Sequence, residues 1–264
     1  MEYTLNIKGK LMSLGQPRVM GILNVTPDSF YAGSRVQTER EIAGRVNQIV
    51  AEGGDIIDVG ACSTRPQSTP VSQEEEMERL RKALDVVRRE LPFATLSVDT
   101  FRPDVARMAV EEFDADIIND VGGGQPDMLR MVSRLRVPYI LMSSEATLRA
   151  TLLFFAERVQ QLRDMGHKDM ILDPGFGFGK TLEENYRLLA ELEKLQVMEL
   201  PLLVGISRKS MIYNLLGLEP ADALNGTTAL NTVALMKGAS VLRVHDVRSA
   251  VECVKLVGKV IPSQ

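Results

Sequence analysis

The sequence contains 264 residues, of which 45% are hydrophobic, so it is long enough to bury one large core or two small ones. Thirty-one basic and 35 acidic residues give a net charge of -4, which excludes the broad basic surface that binds nucleic acid. No apolar run approaches the roughly 20 residues of a membrane-spanning helix, and the first ten residues lack the apolar segment of a signal peptide.

The predicted elements begin with two alternating runs, residues 3–7 and 10–14, which predict a β-hairpin covering one end of the fold. After the hairpin, short apolar runs alternate with segments of helical spacing. The predicted strands are residues 19–23, 56–59, 95–98, 116–118, 139–142, 170–172, 202–204 and 241–244. The predicted helices are residues 39–52, 73–90, 103–113, 127–135, 148–165, 181–195, 227–237 and 247–260. Eight such units predict an α/β fold, a (β/α)₈ TIM barrel spanning residues 1–264 as one domain. A doubly wound open sheet is the alternative.

In a barrel of this kind the carboxyl ends of all strands meet on one rim. Polar or reactive side chains follow nearly every predicted strand: Asn24, Thr64, Arg65, Asp99, Asn119, Met142, Asp173, Ser207, Lys209, Arg243 and His245. Helix capping and turn formation explain any one of these residues, but not the whole set.

The chemistry of this set indicates a ligand with two different ends. Asp99, Asn119 and Asp173 supply carboxylate and amide edges suited to the N–H groups of a planar, guanidine-like heterocycle. Cationic side chains suited to an anion come from four other positions in this set, namely Arg65, Lys209, Arg243 and His245. The sequence therefore predicts a ligand with a donor-rich ring at one end and a phosphate or diphosphate at the other.

Seven motifs in a fixed order then resemble one known family. They are MGILNVTPDSF, DIIDVG followed by STRP, SVDTFRPDVA, ADIINDVGGG, ILDPGFGFGKT, LLVGISRKS and VLRVHDV. Together they cover the chain from Val19 to Val247 and resemble dihydropteroate synthase, an enzyme of folate biosynthesis. The resemblance implies a (β/α)₈ barrel and a transferase that joins 6-hydroxymethyl-7,8-dihydropterin diphosphate to 4-aminobenzoate, giving 7,8-dihydropteroate and diphosphate.

The resemblance also implies roles for individual residues. Those expected to act on the pterin are Asp99, Asn119 and Asp173, with Lys209 reaching the ring and Met142 lining its pocket. Arg243 and His245 are expected to meet the diphosphate, and Asn24 to sit with Mg²⁺, which the family uses to neutralise that group. The loops expected to form the aminobenzoate pocket carry Asp28, Ser29 and Phe30, and Ser63, Thr64, Arg65 and Pro66, with Ser207 near that substrate.

Three departures from the family pattern leave alternatives open. Tyr31, Ala32 and Gly33 stand where most members of the family have an acidic residue near the end of the first loop. Gln67 replaces a common glycine, and residues 143–146 shorten the segment after the fifth strand. A pterin-binding homologue without transferase activity, and the pterin-binding barrel of a corrinoid methyltransferase, are therefore alternatives. Intact Asn24, Lys209, Arg243 and His245 favour the synthase.

Two further expectations concern the state of the protein in the cell. Two cysteines far apart in the sequence indicate a reducing compartment, so we expect a cytoplasmic protein. The resemblance suggests a homodimer, with Ala250, Val254 and Val257 as an apolar stripe on the last helix. Such a stripe is also typical of core packing within one barrel.

Overall fold

The structure, a computed structural model, describes residues 2–25, 35–62 and 71–261. Within these residues eight parallel strands are hydrogen-bonded in the order β8-β7-β6-β5-β4-β3-β10-β9. Their bounds are β3 Arg18–Asn24, β4 Ile56–Gly60, β5 Thr95–Asp99, β6 Ile117–Asp120, β7 Tyr139–Met142, β8 Met170–Asp173, β9 Leu203–Val204 and β10 Val241–Val244. A parallel bridge between Leu172 and Leu202 joins the two ends of this order, and the Leu172 N–H donates to the Pro201 carbonyl at 2.9 Å. The sheet is therefore a closed barrel, which confirms the predicted fold and excludes the open sheet.

The amino-terminal hairpin consists of β1 Thr4–Ile7 and β2 Lys10–Ser13, which pair antiparallel. Leu5 and Leu14 are buried in a cluster with apolar side chains from the first half of the barrel strands, namely Met20, Ile56, Ile117, Ile140, Ile171, Leu203 and Val241. These side chains fill the amino end of the barrel, and the hairpin covers it as predicted.

Helices connect the strands around the outside of the barrel. Their bounds are α1 Arg35–Ala51, α2 Gln73–Glu90, α3 Pro103–Phe113, α4 Pro126–Leu135, α5 Leu148–Asp164, α6 Leu182–Ala190, α7 Ser210–Leu216, α8 Leu224–Met236 and α9 Val247–Val260. Local sequence explains several of the starts. Ser72 accepts a hydrogen bond from the Glu75 N–H at α2, and Thr181 forms a capping box with Glu184 at α6.

Two helical segments differ from the prediction. The helix expected over residues 181–195 ends at Ala190, and a 3₁₀ helix, Leu192–Met198, continues it. Helix α7 was not predicted, because it is only seven residues long and directly follows a polar run. In the described ranges, no helix combines the length and the apolar character needed to cross a membrane.

Candidate active site

The predicted site residues within the described ranges lie at or just beyond the carboxyl ends of the strands. Asn24, Asp99, Met142 and Asp173 are the last residues of their strands. The others lie within or just past β6, β9 and β10, namely Asn119, Ser207, Lys209, Arg243 and His245. Because all eight strands run parallel and the sheet is closed, these side chains share one rim.

Arg243 is the centre of a buried ion-pair cluster. Its Nε donates to Asp58 Oδ2 at 2.6 Å, and its Nη2 donates to Asp99 Oδ2 at 2.7 Å. Burial raises the pKa of Asp99 to about 7, although the neighbouring Arg243 opposes the rise. Burial alone would lower the pKa of Arg243, but Asp58 and Asp99 raise it above its ordinary value. Arg243 therefore stays charged, while Asp99 is able to exchange a proton near neutral pH.

Asn119 presents an unpaired acceptor to this cluster. Its Nδ2 donates to Asp58 Oδ2 at 3.1 Å. Within the described part of the chain, Asn119 Oδ1 is buried and has no hydrogen-bond partner. Buried polar atoms are nearly always paired, so an unpaired acceptor in a barrel mouth indicates a ligand that donates hydrogen bonds.

Lys209 and Asp173 form a second group of charged side chains at the rim. Lys209 Nζ donates to the Phe176 carbonyl and lies 4.4 Å from the centre of the Phe178 ring. Burial lowers the pKa of Lys209 to about 8, and Asp173 opposes this fall. Asp173 Oδ1 accepts from the Gly175 N–H at 2.8 Å, and burial raises the pKa of its carboxyl against the effect of Lys209.

The glycine-rich loop after β8 makes room for Lys209. Gly177 has φ +80°, and a Cβ there would lie 2.9 Å from Lys209 Cδ. A Cβ at Gly175, at φ +66°, would collide with the Ser143 carbonyl and approach Met142 Cγ to 3.1 Å. The loop therefore packs directly on the buried Met142 side chain and on the lysine stem.

The surroundings of His245 favour the neutral imidazole, whereas the sequence predicts a cation at this position. Burial, followed by the charge of Arg243, lowers the pKa of His245 to about 4. Ser207 Oγ lies 3.1 Å from His245 Nδ1 and also accepts from the His245 backbone N–H at 3.1 Å. The hydroxyl proton is therefore free to point at Nδ1, which leaves Nε2 with the ring proton as a donor.

A cavity of about 310 Å³ opens beside this histidine and is lined by Asn24, Arg45 and His245 among others. Arg45 Nη2 donates to the His245 carbonyl at 2.6 Å, so α1 braces the segment that carries the imidazole. Another cavity, of about 740 Å³, lies between the hairpin and the last helices. Its lining contains none of the predicted site residues.

Comparisons with known proteins agree with this geometry. A family described as pterin binding enzyme matches residues 20–245. Dihydropteroate synthase of Escherichia coli strain K12 is 37% identical over 266 residues, covering 95% of this chain and 94% of that protein. The solved structure of Xanthomonas albilineans dihydropteroate synthase with 4-aminobenzoic acid has a TM-score of 0.91 and 38% identity, covering 100% of both chains. The chain belongs to the dihydropteroate synthase family.

Membership of the dihydropteroate synthase family confirms the predicted family, its transferase class and its place in folate biosynthesis. A second structure of the Xanthomonas albilineans dihydropteroate synthase, in complex with 7,8-dihydropteroate, is 34% identical with a TM-score of 0.87, covering 99% of both chains. The predicted loop residues Phe30, Thr64, Arg65 and Pro66 lie outside the described residues.

Sequence reasoning missed Asp58 and Phe178. Asp58 lies in the middle of β4, whereas the predicted site residues were polar residues at or after the ends of strands. Its only signal was a charged residue inside an otherwise apolar strand, which requires a buried partner. Phe178 lies in the glycine-rich loop after β8, and its contact with the Lys209 ammonium is a cation–π interaction.

The dihydropteroate synthase family implies Mg²⁺, and the residues present fit a metal ion that is held by few protein ligands. Within the described ranges no three His, Cys, Asp or Glu side chains are grouped to hold a metal ion. Mg²⁺, however, commonly keeps several waters and binds through one or two protein oxygens plus substrate phosphates. Asn24 Oδ1 lies 3.7 Å from the point that a Cβ at Gly60 would occupy, and Asp99 Oδ2 lies 3.6 Å from it. Because Asp99 Oδ2 already accepts from Arg243 Nη2, Asn24 Oδ1 is the oxygen of this pair that suits a metal arriving with the diphosphate.

Proposed function

We propose that this protein condenses 6-hydroxymethyl-7,8-dihydropterin diphosphate with 4-aminobenzoate at the rim cluster around Arg243. The observation that carries the assignment is the juxtaposition of the unpaired acceptor Asn119 Oδ1 with the guanidinium of Arg243, both tied to Asp58. An acceptor suits the N–H edge of the pterin ring, and a fixed guanidinium suits its diphosphate.

The ring end is bound by acceptors from three strands. Asn119 Oδ1 and the carboxylates of Asp99 and Asp173 accept from the pterin N–H groups, and Lys209 also reaches the ring. Met142 lines the pocket as an apolar contact. The two carboxylates favour positive charge on the ring as the leaving group departs.

The diphosphate end is bound by donors. Arg243 supplies its remaining Nη1, for which no acceptor occurs in the described part of the chain. His245 supplies Nε2–H, oriented through its contact with Ser207. Mg²⁺ bound to the diphosphate would neutralise part of its charge, and Asn24 would hold it.

The reaction follows from this placement of charge. The bond between the pterin methylene carbon and the diphosphate oxygen breaks, and its electron pair leaves with the diphosphate toward Arg243 and His245. The 4-aminobenzoate nitrogen then bonds to the methylene carbon and loses one proton. The arylamine is already a competent nucleophile, so the reaction requires no serine or cysteine nucleophile. Residues Phe30, Thr64, Arg65 and Pro66 are proposed to bind 4-aminobenzoate together with Ser207.

The test is direct. The purified protein is mixed with the pterin diphosphate, Mg²⁺ and 4-aminobenzoate, and dihydropteroate is measured by mass spectrometry. Calorimetry with the pterin diphosphate is run on the same sample. We expect product from the wild-type protein and from the surface control Asp127→Asn, and none from Asp99→Ala. Binding without product would favour a pterin-binding homologue without transferase activity, and a methyl-transfer activity would favour the pterin-binding barrel of a corrinoid methyltransferase.

We also propose that the protein acts as a cytoplasmic homodimer. Ala250 and Val257 are buried in the barrel core, and Val254 is partly buried against it, so this stripe leaves little surface for a partner. Leu256 and Val260 on α9 are exposed, and a further exposed apolar surface lies around α7 and the start of α8, formed by Leu215, Leu216, Leu218 and Leu224. Sedimentation of the wild-type protein and of Leu216→Glu tests this surface; we expect a dimer and a monomer, respectively.

A further inference from the structure

Asp58 joins two parts of the site that come from distant segments of the sequence. It lies in the middle of β4 and is 0% exposed. One of its oxygens, Oδ2, accepts both from Arg243 Nε on β10 and from Asn119 Nδ2 on β6. A single carboxylate oxygen therefore holds the group proposed for the diphosphate and the group proposed for the ring.

The contact with Asp58 sets the polarity of Asn119. An asparagine amide has one acceptor end and one donor end, and its orientation is fixed by its hydrogen bonds. Because Nδ2 donates to Asp58, the acceptor Oδ1 remains for a ligand, and it has no partner in the described ranges. Without the carboxylate, no hydrogen bond fixes the amide with Oδ1 toward the ligand.

The same carboxylate fixes the guanidinium. Arg243 is held at Nε by Asp58 and at Nη2 by Asp99, so its plane is set by two carboxylates. Asp99 also belongs to the ring-binding set, so a bound ring competes for its oxygens. Asp58 is not among the residues proposed to bind the ring. It therefore keeps Arg243 in place when Asp99 accepts from the ligand.

We propose that Asp58 is a positioning residue that couples ring binding to diphosphate binding, by fixing the amide of Asn119 and the guanidinium of Arg243 through one oxygen. This inference rests on the proposed function of the site. Binding of either half of the substrate then orders the residues that bind the other half. The two halves therefore bind more tightly together than separately.

The test compares Asp58→Asn with the matched control Ser97→Ala. Ser97 is the register partner of Asp58 on β5, is fully buried, and has an unpaired hydroxyl within the described residues. Calorimetry measures the Kd of three probes: 6-hydroxymethyl-7,8-dihydropterin, its diphosphate, and inorganic diphosphate. We expect Asp58→Asn to reduce the advantage of the pterin diphosphate over the free pterin by about tenfold. Ser97→Ala leaves this ratio unchanged.

The ratio separates coupling from a general loss of structure. A variant that merely weakened the fold would lower the affinity for all probes together and keep their ratio. If Asp58→Asn does not fold, the wild-type protein itself gives the answer. Saturating inorganic diphosphate should tighten its binding of the free pterin by about fivefold or more, and an unchanged Kd would overturn the inference.

The outcomes also separate this inference from the proposed function. A wild-type protein that binds none of the three probes would overturn both. A wild-type protein that binds the probes and forms product, while Asp58→Asn keeps the wild-type ratio, would overturn the role of Asp58 alone.

Discussion

Replacing Gly60 by alanine tests the space between Asn24 and Asp99 without disturbing the fold. Gly60 ends β4, and a Cβ there would lie 3.4 Å from Asp99 Cβ, 3.6 Å from Asp99 Oδ2 and 3.7 Å from Asn24 Oδ1. These are ordinary van der Waals distances. A glycine-to-alanine change at a compatible backbone position stabilises a protein by about 0.4–1 kcal/mol, chiefly through the unfolded state. At about 2–4 °C per kcal/mol, Tm should therefore stay constant or rise slightly.

The same methyl group should damage the reaction. It lies between Asp99 Oδ2, proposed to accept from the pterin ring, and Asn24 Oδ1, proposed to hold the Mg²⁺ of the diphosphate. We expect kcat/KM for the pterin diphosphate to fall about tenfold or more, which corresponds to at least ~1.4 kcal/mol of lost transition-state stabilisation. Steady-state kinetics and a thermal melt on one preparation measure both quantities.

Gly21→Ala on the neighbouring strand is the matched control. Its Cβ would lie 2.6 and 2.8 Å from the Cγ2 and Cγ1 atoms of Ile49, which is fully buried. Overpacking of this kind costs about 1–3 kcal/mol, so Tm should fall while kcat/KM of the folded protein stays unchanged. A Gly60→Ala variant with wild-type kcat/KM would refute the placement of the ring beside Asp99 and of the Mg²⁺ beside Asn24.

Three further predictions follow from the site and its surroundings. Lys209→Ala should abolish turnover and leave the circular dichroism spectrum unchanged, and wild-type kcat would contradict its role at the ring. The pH profile of kcat/KM should be a narrow bell, falling below about pH 7 as Asp99 gains a proton and above about pH 8 as Lys209 loses one; an active Lys209→Arg variant should keep its activity to higher pH. Tyr139→Phe removes the hydroxyl that donates to buried Asp120 at 2.5 Å, so chemical denaturation should show a loss of about 1.5–3 kcal/mol in the free energy of unfolding; an unchanged midpoint would contradict this.

The barrel and most of its rim were predictable because parallel strands covered on both faces read as short apolar runs. The residue following each run then falls on one rim, which is why Asp99 and Asp173 were found without any knowledge of contacts. Seven-residue α7 was missed because SMIYNLL is too short for periodicity to separate it from a loop.

Long-range pairing set the other limit of prediction. Asp58 and Arg243 are 185 positions apart, and only the closed sheet brings their side chains to 2.6 Å. The charge state of His245 also depends on its surroundings, since burial and Arg243 lower its pKa. Residue type alone predicts a titrating imidazole, whereas burial in the packed barrel favours its neutral form.

The hairpin limits the routes by which reactants and products reach the site. Leu5 and Leu14 fill the amino end of the barrel, so we expect reactants and products to pass through the rim at the carboxyl ends of the strands. The pterin ring is proposed to bind against the buried Asn119, so it should bind before the arylamine, and an arylamine that binds first should block its path. Excess 4-aminobenzoate should therefore slow the enzyme when the pterin is scarce.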